Sequence, residues 1–170
     1  MPETIGKLER SALLHYIDAS FGGTDPLWYL IGKDVEDMSV ELSPQAQTKK
    51  NILDEARVED NGYEPSFAVD TYYADPGDTA NGAAQFYTKI KAIAMGRLTG
   101  AACKTKYMEV LIDKTTGGYD AWVEDCVVKP TSYGGAQGGV RIPYTVYPDG
   151  GRVKGSVTIT DRVPTFTEDE

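Results

Sequence analysis

The chain has 170 residues and a mass of 18.5 kDa, with 41% hydrophobic and 25% charged residues, which is typical of a single globular domain. Its 26 acidic and 17 basic residues give a net charge of −9. Because proteins bind DNA and anionic membranes largely through Lys and Arg, this composition disfavours both roles.

The sequence carries no membrane-spanning or secretory pattern. Its apolar runs, such as residues 27–31, fall far short of the roughly 18 residues that a span needs. The first twenty residues lack the continuous apolar stretch of a secretory signal. Cys103 and Cys126 lie 23 positions apart without a CxxC motif, so we expect two buried, reduced thiols in a cytoplasmic protein.

Charge is distributed unevenly along the chain. Residues 1–78 contain 16 acidic and 6 basic residues, a net charge of −10, whereas residues 79–170 contain 10 acidic and 11 basic residues, a net charge of +1. This polarity would allow head-to-tail contacts between copies of the chain. Solvated faces of a monomer produce the same pattern.

The first strand signal lies in residues 35–42, where polar and apolar residues alternate from position 36 onward. The alternation places Met38, Val40 and Leu42 on one face of a strand. Residues 43–50 are polar and include a proline, which predicts a loop. Residues 51–58 predict a second extended segment, so that residues 35–58 form a long hairpin with a protruding tip.

Five more strands are predicted farther along the chain, at residues 65–73, 106–113, 120–129, 140–147 and 152–160. Clusters of Gly and Asp separate them, as expected of turns. The last strand alternates strictly between apolar and polar residues. That pattern is typical of an antiparallel sheet with one dry face and one wet face.

One segment has a helical period. Apolar residues recur every three or four positions at Ala83, Phe86, Tyr87, Ile90, Ile93, Ala94 and Leu98. Asp78 is a candidate N-cap, with a later start at Asn81-Gly82 as the alternative, and Gly100 is the predicted end. The chain is therefore expected to be one mainly β domain with one helix (α+β), an antiparallel β-sandwich or open barrel flanked by the amphipathic helix, with a long protruding hairpin.

Catalytic, metal-binding and cofactor-binding motifs are not found. His15 is the sole histidine, which excludes a two-histidine zinc site, and it is interpreted as a half-buried strand residue. The glycine-rich residues 133–139 lack the Gly-Lys-Ser/Thr ending of a phosphate-binding loop. The adjacent carboxylates Glu124 and Asp125 should point to opposite faces of a strand, so they do not form an acid/base pair.

Several strings together carry a resemblance to a known family. They are Tyr29-Leu30-Ile31-Gly32 through VEDMSVELSPQAQTKKNILDE, and then YEPSFAVDTYYADPGD, CKTKYMEVLID, AWVEDCVVKPTSYGG and RVKGSVTITDRVPTF. They resemble the long hairpin, the turn before the helix and the later strands of the major tail tube protein of long, flexible-tailed (siphovirus-type) bacteriophages or prophages. The resemblance covers roughly residues 10–166.

The resemblance implies a structural protein without enzymatic activity or cofactor. Subunits of this family form hexameric rings that stack into a hollow tube, and genome DNA passes through the tube during ejection without specific binding. The implied partners are other copies of the chain and the tail-tip initiator, tape-measure and tail-terminator proteins, with no membrane. The implied location is the host cytoplasm during assembly and then the virion tail.

The resemblance also implies roles for particular residues. Asp37, Ser39 and Glu41 would face the channel, where negative charge close to the wall keeps DNA from adhering. An arm at about residues 1–10 and a tail at about residues 164–170 would reach neighbouring rings. The polar hairpin loop would do the same through Ser43, Pro44, Gln45, Ala46, Gln47, Thr48, Lys49 and Lys50.

Three other interpretations also fit the sequence. The tube protein of contractile machines, including secretion systems, forms the same kind of ring. An immunoglobulin-like β-sandwich that binds carbohydrate through exposed Tyr and Trp would instead stay monomeric. An acidic hydrolase would lose activity when a single carboxylate is replaced.

Overall fold

The computed structural model describes residues 6–32, 35–73, 82–114 and 118–170. These residues form ten strands and one α-helix, α1 (Ala83–Gly96). The strands are β1 (Leu13–Asp18), β2 (Trp28–Leu30), β3 (Pro44–Lys50), β4 (Ala56–Tyr63), β5 (Phe67–Val69), β6 (Lys104–Leu111), β7 (Tyr119–Pro130), β8 (Tyr144–Pro148), β9 (Val153–Thr160) and β10 (Val163–Glu168). The predicted mainly β fold with a helix is confirmed.

Eight of these strands form one antiparallel sheet, and β7 is the strand at which it divides. The main path runs β10-β9-β7-β6-β1-β2, with β8 and β5 attached beside β7. One edge of β7 pairs with β6. On its other edge, β9 pairs with residues 119–123 and β8 pairs with residues 126–130. Because β8 and β9 diverge from a common twisted strand, the sheet curls into a half-barrel.

The helix covers one face of this sheet with the apolar residues that its period predicts. Ala83, Phe86, Tyr87, Ile90 and Ile93 are buried. The helix begins directly after Gly82, consistent with the later of the two predicted starts, whereas Asp78 lies outside the described residues.

The helix ends earlier than Gly100, the residue predicted to end it. Arg97 adopts the left-handed conformation at the C-cap, with φ of 50°. The Leu98 amide then donates to the Ile93 carbonyl at 3.1 Å, which is the 6→1 bond of a Schellman ending. Leu98 therefore lies outside the helix and is 40% exposed.

Apolar clusters lie on both faces of the curled sheet. Beneath the helix, the ring of Phe86 stacks on Tyr29 with centroids 4.6 Å apart and contacts Tyr144 edge-on. The opposite face buries a smaller cluster of Tyr16, Met108, Val110, Ala121 and Val157. Since both faces of the central strands are covered, four consecutive residues of β1 are buried. This explains why alternation did not reveal β1, of which only His15 was interpreted as a strand residue. The sequence analysis also missed β2 and β10.

The predicted hairpin exists, but its strands are shifted along the chain. Residues 35–42, predicted as a strand, contain only an isolated bridge between Glu41 and Ser66. Residues 44–50, predicted as a loop, form β3, which pairs with β4 from Pro44 opposite Tyr63 to Lys50 opposite Ala56. The prediction failed here because both faces of this hairpin are in water, so β3 has no apolar alternation to reveal it.

The alternation in residues 36–42 correctly predicts that Met38 and Val40 face the core, although these residues do not form a strand. Met38 is buried and Val40 is packed against the core, whereas Leu42, predicted to share their face, is 55% exposed. At the other end of the chain, residues expected in a C-terminal tail from about 164 form most of β10, which pairs with β9.

A glycine in β9 permits the close approach of β10. A Cβ at Gly155 would overlap the Thr167 carbonyl oxygen and lie 2.6 Å from the Phe166 ring. We expect Gly155→Ala to lower the free energy of unfolding, measured by urea denaturation, by about 1–3 kcal/mol. Gly32→Ala is the control because its Cβ would meet no atom of the described residues within 4 Å, the glycine's chain neighbours aside. Equal stability of the two variants would contradict the observed β9–β10 packing.

Candidate functional site

The predicted channel-facing residues lie on the outer side of the segment that leads into the hairpin. Asp37, Ser39 and Glu41 are all exposed, while the intervening Met38 is buried against the core. Glu41 is fixed by two backbone hydrogen bonds with Ser66, of 2.8 and 2.9 Å. The segment therefore holds these three polar side chains in water along one edge of the fold.

The predicted inter-ring residues, Ser43 to Lys50, lie on the exposed hairpin. Every residue of β3 is exposed except Gln45, which is half-buried. Lys49 pairs with Glu59 of β4 at 2.7 Å, with both side chains about half exposed to solvent. Such a surface pair contributes little to stability.

The hairpin stands apart from the rest of the described fold. β3 and β4 form a separate two-stranded sheet, and among the described residues each strand pairs in a ladder only with the other. An isolated hairpin is marginally stable in water. The feature is thus an extended surface with two open edges, which is suited to contact with another molecule.

A groove of about 890 Å³ opens at the base of this hairpin. We call it the basal groove. Its apolar wall is formed by Leu13, Met38, Val40, Leu42, Tyr63 and Pro65, and Ser39 also lines it. Its polar floor comes from β1, β6, β7 and the residue that precedes β9, through His15, Tyr107, Glu109, Glu124 and Arg152.

The floor is held by an ion-pair cluster centred on Arg152. Its guanidinium contacts Glu109 at 2.8 Å and Glu124 at 2.5 Å, and the Tyr107 hydroxyl donates to the same Glu124 oxygen at 2.5 Å. Burial alone would lower the pKa of Arg152, but the hydrogen bonds to Glu109 and Glu124 and the charge of Glu109 outweigh it and raise that pKa. Burial and the bond to Glu124 raise the pKa of Tyr107 far above its usual value. The cluster therefore combines a charged arginine and a neutral tyrosine with the carboxyl groups of Glu109 and Glu124.

His15 lies beside this cluster and is 3% exposed, which is more buried than predicted. Among the described residues its Nδ1 has no hydrogen-bond partner, and the Glu109 carboxylate lies beside it, with an Nδ1–Oε1 distance of 4.0 Å. Burial lowers the pKa of the imidazole, against a smaller raising effect of Glu109. His15 is consequently neutral at pH 7.

The two cysteines, Cys103 and Cys126, are both buried and unpaired, as expected. Burial raises the pKa of the Cys126 thiol. Glu124 is buried whereas Asp125 is exposed, so these neighbours do face opposite sides. Within the ranges that the structure describes, no cluster of His, Cys, Asp and Glu is arranged to hold a metal ion, and none of the helices has the length and hydrophobicity needed to cross a membrane.

The basal groove was not predicted from the sequence. Its charged residues come from strands that lie far apart along the chain, and the pairing of β6 with β7 and of β7 with β9 brings them together. A weak signal was present, because Glu109 interrupts the apolar run Met108–Leu111. A charge at that position of a central strand indicates a buried partner.

Solved structures of similar fold come from tail-like particles. A chain in the tail of an empty GTA particle with C6 symmetry matches with a TM-score of 0.58 and 9% identity, covering 86% of this chain and 97% of that one. A chain in the sheath/tube terminator of the PVC extracellular contractile injection system, in its extended state, matches with a TM-score of 0.51 and 11% identity, covering 88% and 96%. A chain in the tube-terminating cap of the anti-feeding prophage (AFP) also matches with 0.51, at 12% identity, covering 92% and 99%.

No protein-family model and no curated protein sequence matches the chain. At these low identities the structural matches show a shared fold. The chain therefore shares its fold with chains from the GTA tail, the PVC sheath/tube terminator and the AFP cap.

The burial of neutral His15 predicts a pH dependence of stability. Its pKa is lower in the folded protein than the ordinary value of 6.5, so the unfolded chain binds the proton more readily. The stability that neutral His15 allows is fully present above pH 6.5. It is lost as the pH falls from 6.5 toward the lower pKa of the folded protein, because only the unfolded chain binds the proton in that range. We expect the free energy of unfolding of the wild type, measured by urea denaturation, to fall from pH 7 to 5.5 more steeply than that of His15→Phe. Parallel pH profiles would contradict this.

Removing the central arginine should destabilise the floor of the groove. Arg152→Met leaves the buried Glu124 without its cation, which costs about 2–3 kcal/mol, below the usual range for a buried pair because Arg152 is 40% exposed. Urea denaturation measures the change. The matched control is Lys106→Met, whose ion pair with Asp125 is exposed; a similar loss in both variants would contradict a structural role for the cluster.

Proposed function

We propose that the protein is a structural subunit of a phage-like tail that assembles into hexameric rings, which stack into the tail tube. The observation that carries this proposal is the half-barrel sheet, together with its match over 86% of the chain to a component of a C6-symmetric tail. The function needs no catalysis and no cofactor.

The open edges of the half-barrel support ring formation. In the described part of the chain, the main path of the sheet ends at β10 on one side and at β2 on the other. Unpaired edges invite pairing with another chain, and closure of a sheet around a ring removes them. Two different edges meeting head to tail form a ring when the rotation between subunits closes.

In the proposed tube, Asp37, Ser39 and Glu41 face the channel, and residues Ser43 to Lys50 contact the neighbouring ring. Support for the first assignment is that all three side chains are exposed beside a buried Met38. Support for the second is the exposure of β3 on a hairpin that packs on little else. An acidic wall lets DNA pass because repulsion of phosphate acts over about 8 Å at physiological salt.

The proposed partners are further copies of the chain and the tail-tip initiator, tape-measure and terminator proteins. The proposed location is the host cytoplasm during assembly and the virion tail afterwards. A second candidate function, tail terminator, is favoured by the matches to terminator and cap chains of contractile-type particles. A terminator would form a single ring that closes the tube and does not stack.

Negative-stain electron microscopy of the purified protein at low and high concentration, with light scattering on the same samples, tests both functions. Stacked rings or hollow tubes support the tube subunit, and isolated rings that never stack support the terminator. If neither appears even with tail-tip components, and the monomer binds polysaccharide, the carbohydrate-binding alternative replaces both.

Neutralising the proposed channel face should affect DNA passage without affecting assembly. We expect Asp37→Asn with Glu41→Gln to form normal tubes but to slow DNA ejection, because phosphate is no longer repelled from the wall. Ejection kinetics and infectivity of particles carrying the variant measure this. The matched control is Asp113→Asn with Asp161→Asn, two exposed acids elsewhere; unimpaired ejection by the first variant would overturn the channel assignment.

A further inference from the structure

The turn of the hairpin and the basal groove are two complementary surfaces on one chain. We define the hairpin tip as residues 51–55, between β3 and β4. We propose that the hairpin tip of one copy binds in the basal groove of a second copy. This inference rests on the proposed self-assembly and names the contact that would join successive rings.

The tip presents two large aliphatic side chains to water. Ile52 is 100% exposed and Leu53 is 72% exposed. Their neighbours hold the turn in one shape, because the Asn51 side-chain oxygen accepts hydrogen bonds from the amides of Leu53 and Glu55 at 2.9 and 3.0 Å. The Asn51 side-chain amide also donates to the Glu55 carboxylate. A rigid turn loses little conformational entropy on binding, so its apolar side chains are preorganised for contact.

The basal groove has an apolar wall that exposed aliphatic side chains could contact. Its apolar wall includes Leu42, which is 55% exposed, and Tyr63, which is 63% exposed. The groove volume of about 890 Å³ lies within the range of about 300–1,000 Å³ typical of binding pockets. Insertion of Ile52 and Leu53 would remove apolar surface from water on both molecules.

Charge also matches between the tip and the groove. Exposed Arg10 lines the groove, and its guanidinium donates to the backbone carbonyls of Leu13 and Met38 at 2.7 and 3.2 Å. Among the described residues it pairs with no carboxylate, whereas Glu109 and Glu124 are already paired with Arg152. The tip carries Asp54 and Glu55 directly after its aliphatic pair. These carboxylates would meet Arg10 at the rim.

The groove of the same molecule is out of reach of its own tip. The groove includes Leu42 and Tyr63, which lie at the base of the hairpin. The tip lies at the far end of seven-residue β3, which corresponds to about 24 Å at roughly 3.4 Å per residue. The occupant must therefore belong to a second copy. A contact between two different surfaces can be repeated from copy to copy. When each copy is displaced along one axis, the result is an open stack, as successive rings require.

Site-specific cross-linking tests the contact directly. Leu53→Cys and Leu42→Cys proteins are mixed, concentrated and oxidised with copper–phenanthroline. The native thiols of Cys103 and Cys126 are buried and leave the background low. We expect a disulfide-linked dimer in the mixture and not in either variant alone. Leu53→Cys mixed with Met95→Cys, on the exposed face of the helix, is the matched control.

A second variant separates this contact from folding and from ring formation. We expect Ile52→Asp with Leu53→Asp to keep the wild-type circular dichroism spectrum, since both side chains are exposed, and to reduce the yield of stacked rings about tenfold or more. If the wild type stacks but shows no specific cross-link and the double Asp variant stacks normally, the tip–groove contact is overturned and the tube function stands. If the cross-link forms but no ring ever does, the contact stands and the tube function fails. Absence of both the cross-link and assembly overturns both.

Discussion

The whole architecture depends on the pairing of β7. This twelve-residue strand holds β6 along one edge and divides its other edge between β9 and β8. Because a twisted strand cannot keep two partners coplanar along its length, the division curls the sheet. The curl leaves a helix-covered face and a second buried face, and it places Glu124 of β7 beneath the basal groove.

The ion-pair cluster in that groove joins β6 and β7 to the residue that precedes β9. Arg152 bridges Glu109 of β6 and Glu124 of β7. Buried charge is costly to form and more costly to leave half-paired, so the cluster fixes the register of these strands around the groove floor. In the proposed docking, a firm floor would let the hairpin tip of a second copy bind without first ordering the groove. The residues that stabilise the monomer would then also shape the proposed contact between copies.

The hairpin of β3 and β4, unlike the floor of the groove, contributes little to the stability of the monomer. Its residues are exposed almost throughout, and it adds little to the core. A monomer gains little from such an element, whereas an assembled protein can bury it between copies. The same reasoning applies to the open sheet edges at β2 and β10. In the proposed tube, the features that make the monomer incomplete are the features that make it polymerise.

The sequence by itself determined the fold class, the helix and the buried face of that helix. The helical period depends only on the spacing of nearby apolar residues, such as Phe86 and Ile90. It also placed Met38 inward and Asp37 outward through simple alternation. It did not determine β1, which is buried on both faces, or β3, which is buried on neither, since alternation reports only half-buried strands. The basal groove was decided by tertiary structure alone, because His15, Glu109, Glu124 and Arg152 meet only through the pairing of strands distant in sequence.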